Sequence, residues 1–245
     1  MKKNKNDDIT RVSPKKDAIE KLEDFVEVNH LKANIKIPSE KDLCEMWGIS
    51  RSTLRQAVDF LIEVGVLYRI KDKGIYVSPK KYERNMAGVD AMVKDLISQG
   101  NKVSKKIISM NEIVATKQIS KKMSIKLGTK VFEIVRYRVI NDIPCTIETA
   151  YINAEKYPDF IKHYNEKASM DKLFGEYYDT VQTSGVEHIN VTYASEDEAK
   201  VLKISNGTPL FFASGISLDQ SGDIVMYYKQ LIRPDKFNFV CEVDN

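Results

Sequence analysis

Arg51 and Arg55 stand four residues apart in Ser50-Arg51-Ser52-Thr53-Leu54-Arg55, shortly after Gly48. If this stretch is helical, the two guanidinium groups share one face near its N-terminal end. An arginine there can donate two hydrogen bonds to O6 and N7 of a guanine in the major groove. Ser50, Ser52 and Thr53 are short hydroxyl donors suited to phosphate oxygens. Ser39 and the backbone N–H groups after it could hold another phosphate at a helix N-terminus. Lys71 and Lys73 could reach a neighbouring groove or backbone, and Gly74 beside them permits a tight turn and close approach. A second set of charges lies further on. Arg136 and Arg138 are two apart, so in a strand they point to one face. Two guanidinium groups on one face repel unless an anion joins them, and a phosphate or carboxylate ligand is a natural partner. Glu148 either accepts hydroxyl hydrogen bonds from a sugar or pairs with one of these arginines. The bland reading of the three is an exposed strand-face salt-bridge set.

The elements that must position the first set are legible from periodicity. Lys15 to Val28 reads as a helix, with Ile19, Leu22, Phe25 and Val26 on one face. After Pro38, Ser39 begins a second helix, followed by the acidic residues Glu40, Asp42 and Glu45. Leu43 and Trp47 form its inner face and Gly48 stops it. Ser50 caps a third helix from Arg51 to about Val64, whose apolar stripe is Leu54, Ala57, Val58, Leu61 and Ile62. Arg51 and Arg55 lie opposite that stripe. Two short helices around a glycine turn are the helix-turn-helix pattern. Two β-prone runs follow, Val66 to Ile70 and Ile75 to Ser78, with Lys71 to Gly74 as the hairpin tip of a wing. Two arginines alone are equally compatible with a solvated helix face. The linked set of helix, glycine turn, serine-capped basic helix and wing favours a DNA reader.

Residues 1–80 are thus expected to form a winged helix-turn-helix, 81–90 a polar linker, and 91–245 a second domain. That second domain carries a weak internal repeat. Ser124 to Phe132 matches Leu202 to Phe211, so that Gly128 aligns with Gly207; past the turns Ile143 aligns with Ile224 and Tyr151 with Ile232. Two hairpin-bearing halves predict one antiparallel sheet with pseudo-two-fold character and helices packed on it. The fold class is therefore α+β.

Composition narrows the function. The chain has 245 residues, 42% of them hydrophobic and 30% charged, as in ordinary globular domains. The first third is net basic and the remainder near neutral, as a DNA-binding head on a larger domain would be. No apolar run is long enough to span a membrane, and the polar N-terminus is unlike a secretory signal, so a cytoplasmic location is expected. Cys44, Cys145 and Cys241 are far apart, and His30, His163 and His188 are isolated. No disulfide framework, metal site or cofactor is expected. Nucleophile-elbow, Walker and zinc-protease motifs are missing, which argues against an enzyme.

Residues 37–77 closely resemble the winged-helix domain of GntR-type regulators. The matching motifs are Pro38-Ser39-Glu40, then Ser50-Arg51-x-Thr53-x-Arg55-x-Ala57, then Lys73-Gly74-x-Tyr76-Val77; Asp72 and Ile75 depart from the usual Gly and Thr. The resemblance implies that Arg51 and Arg55 contact bases. It also implies that Ser39, Glu40, Ser52 and Thr53 lie at the phosphate-facing surface, and that the wing tip enters the minor groove. Residues 87–245 resemble the UTRA effector domain of the HutC branch, which is similar in fold to chorismate lyase. Gly128-Thr129, Arg136-x-Arg138, Pro144, Glu148 and Arg233-Pro-Asp235-Lys-Phe237-x-Phe239 carry that likeness. It implies effector contacts by Arg136, Arg138 and Glu148, with Ser104, Lys105 and Tyr227 as further contacts. The expected partners are double-stranded operator DNA, a small anionic effector (a sugar phosphate or carboxylate) and a second copy of the chain, with no membrane. Two rivals stand beside this reading: a chorismate-lyase-like enzyme fused to a DNA-binding head, and a DNA-binding protein that ignores ligands.

Overall fold

In the computed structural model, which describes residues 13–85 and 89–241, the first helix α1 runs Pro14–Val28. Ser13 caps it, accepting the Lys16 N–H at 3.2 Å, and proline at the first helical position fits because that N–H has no partner in a helix anyway. Helix α2 spans Glu40–Trp47 and α3 spans Arg51–Glu63. Gly48 adopts φ +64°, the left-handed turn that ends α2, and Ser50 restarts the chain as the α3 cap. Leu54, Ala57, Val58 and Leu61 of α3 are fully buried against Ala18 and Leu22 of α1 and Leu43 of α2. Burying each leucine contributes about 1.5–3 kcal/mol. The same core includes Leu67, Ile75 and Val77 of the hairpin β1 (Leu67–Ile70) and β2 (Gly74–Val77). At its tip Asp72 takes φ +61°, a geometry that aspartate tolerates.

The Ser39 cap is a full capping box. Ser39 Oγ accepts the Asp42 N–H at 3.2 Å, while the Asp42 carboxylate accepts the Ser39 N–H at 3.2 Å and its hydroxyl at 2.7 Å. These bonds hold the Asp42 carboxyl below its usual range. Ser39→Ala is expected to destabilise the chain by about 1 kcal/mol. A urea titration should show a lower midpoint at unchanged slope; an unchanged midpoint would mean that the cap does not hold α2.

The described residues divide into two compact units, one up to Lys81 with Pro234–Lys236, the other Tyr82–Arg233 with the residues from Phe237 onward. The second unit opens on a strand where the sequence suggested a linker. Residues 82–85 form β3 (Tyr82–Asn85), paired in parallel with β10 (Phe237–Val240). Helix α4 (Val89–Ser98) also begins inside the expected 81–90 linker. The segment looks polar, yet Arg84 is almost wholly buried and Tyr82 packs on Phe237. Both contacts depend on residues about 100 to 155 positions away, so no local pattern shows them.

A six-stranded antiparallel sheet follows, in the order β4-β5-β6-β9-β8-β7. Its strands are β4 (Val103–Val114), β5 (Lys130–Ile140), β6 (Ile143–Asn153), β7 (Gln182–Tyr193), β8 (Pro209–Asp219) and β9 (Ile224–Ile232). The internal repeat is present down to single hydrogen bonds. Helix α5 (Lys117–Met123) is capped by Thr116 and α8 (Glu196–Leu202) by Ser195. Gly128 N–H donates to Ala115 O, and Gly207 N–H to Ala194 O. The two halves meet at β6 and β9, where Glu148 faces Gln230 and Thr149 faces Lys229.

Strand alternation divides the sheet into two faces. One face carries Phe132, Ile134, Ala150 and Ile152, covered by Phe160 of α6 (Phe160–His163) and Leu173 and Phe174 of α7 (Met170–Tyr178). Met92 and Leu96 of α4, with Phe237 of β10, cover another part of it at Ala213 and Ile232. The opposite face packs on α5 through Val131, Tyr151 and Tyr227, and on α8 through Ile147. No helix among the described residues is long and apolar enough to cross a membrane.

Candidate DNA-reading and effector sites

The cations that the sequence singled out in the first unit, Arg51, Arg55, Lys71 and Lys73, are all exposed. Arg51 and Arg55 of α3 are exposed, opposite the buried stripe, as the helical period requires. Ser50 commits its oxygen to the α3 cap, accepting the Thr53 N–H at 3.2 Å. Its hydroxyl also lies 3.0 Å from that of Ser52 and 2.8 Å from that of Thr53. Three hydroxyls thus cluster at the N-terminal end of α3, where a phosphate oxygen could be met.

Glu40 stands between two arginines rather than open to phosphate. Its carboxylate lies 3.6 Å from Arg55 Nη2 and 3.2 Å from Arg69 Nη2, and Arg69 also pairs with Asp59 at 3.2 Å. Such surface pairs are worth 0–1 kcal/mol, so their effect is orientation. Glu40 thus bridges Arg55 and Arg69 and orients their side chains. The Ser39 hydroxyl donates to Asp42, whose carboxylate sits at the same helix end. Sequence reasoning passed over Arg69 and Lys36. Arg69 is two residues from buried Leu67 in β1, so period-two reading sets it on the buried face, and no local signal marks it as a partner of Glu40. Lys36 runs along the wing: a Cβ at Gly74 would lie 2.7 Å from Lys36 Cε. Gly74, at φ +117°, thus admits both the turn and a third lysine beside exposed Lys71 and Lys73.

In the second unit, Arg136, Arg138 and Glu148 meet on one sheet face. Arg136 Nε donates to Glu148 Oε2 at 2.7 Å. Arg138 donates through Nε to Oε1 at 3.0 Å and through Nη2 to Oε2 at 3.2 Å, and the Thr146 hydroxyl adds a bond to Oε1 at 3.1 Å. All three charged side chains are nearly inaccessible, between 5% and 11% exposed. Burial raises the Glu148 carboxyl, but Arg138 and Arg136 together pull it well below the ordinary carboxylate range. Burial alone would likewise lower Arg136; Glu148 and Tyr164 reverse that and raise it.

Two guanidiniums on one carboxylate leave one positive charge uncompensated within this triad. Tyr164, after α6, accepts from Arg136 Nη1, and Lys105 of β4 donates to the Ala168 carbonyl with its ammonium 4.6 Å over the Tyr164 ring. Lys105 pairs with Arg138 across β4 and β5 and so joins the same face.

Two family models match: the GntR model ("Bacterial regulatory proteins, gntR family") over residues 14–77 and the UTRA domain over residues 98–238. The chain belongs to the GntR family, with a UTRA domain. It is 31% identical to a "probable fructoselysine utilization operon transcriptional repressor" of Escherichia coli (strain K12), over 91% of each chain. It is 28% identical to the "HTH-type transcriptional repressor NagR" of Bacillus subtilis (strain 168), over 92% of this chain and 93% of that one. Among solved structures, PhnF from Mycobacterium smegmatis shares the fold with a TM-score of 0.65 at 20% identity, covering 93% of this chain and all of that one. GntR regulators bind operator DNA, and the relatives are named as repressors, not enzymes.

Within this GntR–UTRA chain two of the residues expected to contact an effector lie apart from the Arg136–Glu148 face. Tyr227 pairs with Tyr151 across β6 and β9 and stacks on it at 5.5 Å among the α5-side residues, on the face opposite Glu148. The tyrosine on the face of Glu148 is its neighbour Tyr228, which pairs with Ala150. Ser104 is exposed and points away from the Lys105 side. In a strand one residue changes the face, so Tyr228 and Lys105, rather than Tyr227 and Ser104, share the face of Glu148. Tyr164 carried no signal in sequence, being 28 residues from Arg136.

Proposed function

We propose that this chain is a homodimeric repressor whose grip on a near-palindromic operator is released by a small phosphorylated sugar held at Arg136 and Arg138. The observation that carries the reading is the buried Arg136–Glu148–Arg138 triad with its unbalanced positive charge. Burying such charge is unfavourable unless an anion completes it. A phosphate takes the guanidinium forks and Lys105, and Glu148 turns to accept sugar hydroxyls. The relative named for fructoselysine utilization supports a sugar-type effector. In the head, Arg51 and Arg55 read base edges, the Ser50, Ser52 and Thr53 hydroxyls and Lys71 and Lys73 meet the backbone, and Gly74 lets the wing approach. Two heads related by two-fold symmetry read two half-sites. The effector favours release because it binds one arrangement of the dimer better than the other.

Electrophoretic mobility shift on the chain's own upstream DNA tests this, with a panel of sugar phosphates added. One phosphorylated sugar should release the DNA from the wild type, while Arg138→Gln holds the DNA and no longer responds. Release of Arg138→Gln at wild-type effector concentration would sink the assignment of the site.

A further inference from the structure

A second buried charge cluster lies on the same sheet face as the triad, toward its other edge. Arg84 of β3 is only 4% exposed; its Nη2 donates to Glu187 Oε1 of β7 at 2.7 Å, and its guanidinium lies 5.2 Å over Phe239 of β10. Tyr228 of β9 donates to the same Glu187 oxygen at 3.1 Å. The tyrosine reaches β7 because Gly215 of β8 stands between: a Cβ there would meet the Tyr228 hydroxyl at 2.7 Å. Two buried polar atoms here have no hydrogen-bond partner among the described residues, Arg84 Nη1 and Ser217 Oγ. Ser217 is two residues from Gly215 on β8 and so shares its face.

Buried donors without partners are rare in folded proteins and ask for an explanation. The geometry points to a second pole of the effector site, in which Arg84 Nη1 and Ser217 Oγ grip an uncharged oxygen of the ligand, a hydroxyl or carbonyl. The inference rests on the triad being the anion pole. Arg84 and Glu187 cancel in charge, so this pole suits a neutral group, whereas the triad is net positive. Strands β6 and β7 are three spacings apart, about 14 Å. Ser217 lies two strands from Glu148 and four residues along β8 from Ala213, which marks the level of Glu148, so the gap to be bridged is about 16 Å. The ligand class is therefore a phosphorylated sugar with a polar group at the end remote from its phosphate. Arg84 also lies seven residues after Val77, the last residue of the wing hairpin, so its capture by ligand acts on the segment that leaves the head.

Calorimetry on the full chain with inorganic phosphate, glucose 6-phosphate and fructoselysine 6-phosphate tests the second pole. The wild type should bind at least one sugar phosphate about tenfold more tightly than phosphate, as one added buried hydrogen bond to a charged group allows. Ser217→Ala, which removes no packing charge, should lose most of that gain. So should Arg84→Gln combined with Glu187→Gln, which keeps the pair neutral and the fold intact. Both should bind inorganic phosphate as the wild type does. A wild type that binds phosphate but prefers neither sugar phosphate, or a preference that survives in both variants, overturns the second pole and leaves the anion pole standing. A wild type that binds none of the three probes overturns both.

Discussion

Arg51→Ala and Arg55→Ala are each expected to weaken operator binding by about 1–3 kcal/mol and to relax specificity at one base pair, as loss of a bidentate base contact does. Both side chains are exposed on α3 and make no contribution to its buried stripe, so the variants should melt with the wild type. Arg55 and Arg69 share Glu40, so Glu40→Gln should loosen both and lower specificity less than either arginine loss. Fluorescence anisotropy on the operator and on a scrambled duplex of equal length separates the two effects. Lys71→Ala and Lys73→Ala, at the wing tip, should weaken both duplexes alike and flatten the salt dependence by about one unit of slope each. If the operator-to-scrambled ratio is untouched by both arginine changes, α3 does not read sequence.

Glu148→Gln is expected to have the largest effect on stability. Removing this carboxylate leaves two buried guanidiniums without their partner, and breaking a buried pair in this way destabilises by about 3–5 kcal/mol. Added phosphate or sulfate should raise the melting temperature of Glu148→Gln more than that of the wild type, since an anion that binds the folded form replaces the missing charge. The pH dependence has a definite sign. The Glu148 carboxyl titrates below its ordinary value in the folded chain, so its contribution is complete above about the unfolded value of 4.5 and is lost as the pH falls below that. Wild-type stability should therefore decline on acidification below that point, while the Glu148→Gln variant shows a shallower decline there. Equal melting temperatures for the two proteins at neutral pH would refute the view that Glu148 holds the arginines together.

The second pole changes what these experiments mean. If Arg84 and Ser217 grip the far end of the ligand, loss of the triad and loss of the second pole affect different probes. Inorganic phosphate should then sense only Arg136, Arg138 and Lys105, while a longer sugar phosphate should sense both poles.

Much of the head was legible because its determinants are local. Helix period, the Ser39 and Ser50 caps, Gly48 and the turn before Gly74 each act within a few residues, and the helices lie within a residue or two of where those signals put them. The repeat in the second domain was legible for the same reason, since a short helical segment, a Gly-Thr turn and a strand recur in each half; the matching caps Thr116 and Ser195 emerged only in the structure. Arg136, Arg138 and Glu148 could be set on one face by counting in twos within a single hairpin. Counting failed where it had to cross hairpins. Tyr227 and Tyr228 differ by one residue, and only the pairing of β9 with β6 decides which of them shares a face with Glu148.

By itself, then, the amino-acid order determined the local elements, the cap chemistry, the charged face of α3 and the common direction of the paired arginines. All of these follow from backbone periods and from bonds between near neighbours. Tertiary structure alone decided that Glu40 lies between Arg55 and Arg69, that Tyr164 closes over Arg136, and that Arg84 is buried against Glu187. The physical reason is that these contacts join residues 15 to 103 positions apart, brought together by sheet pairing and core burial, neither of which is written in any short window of the chain.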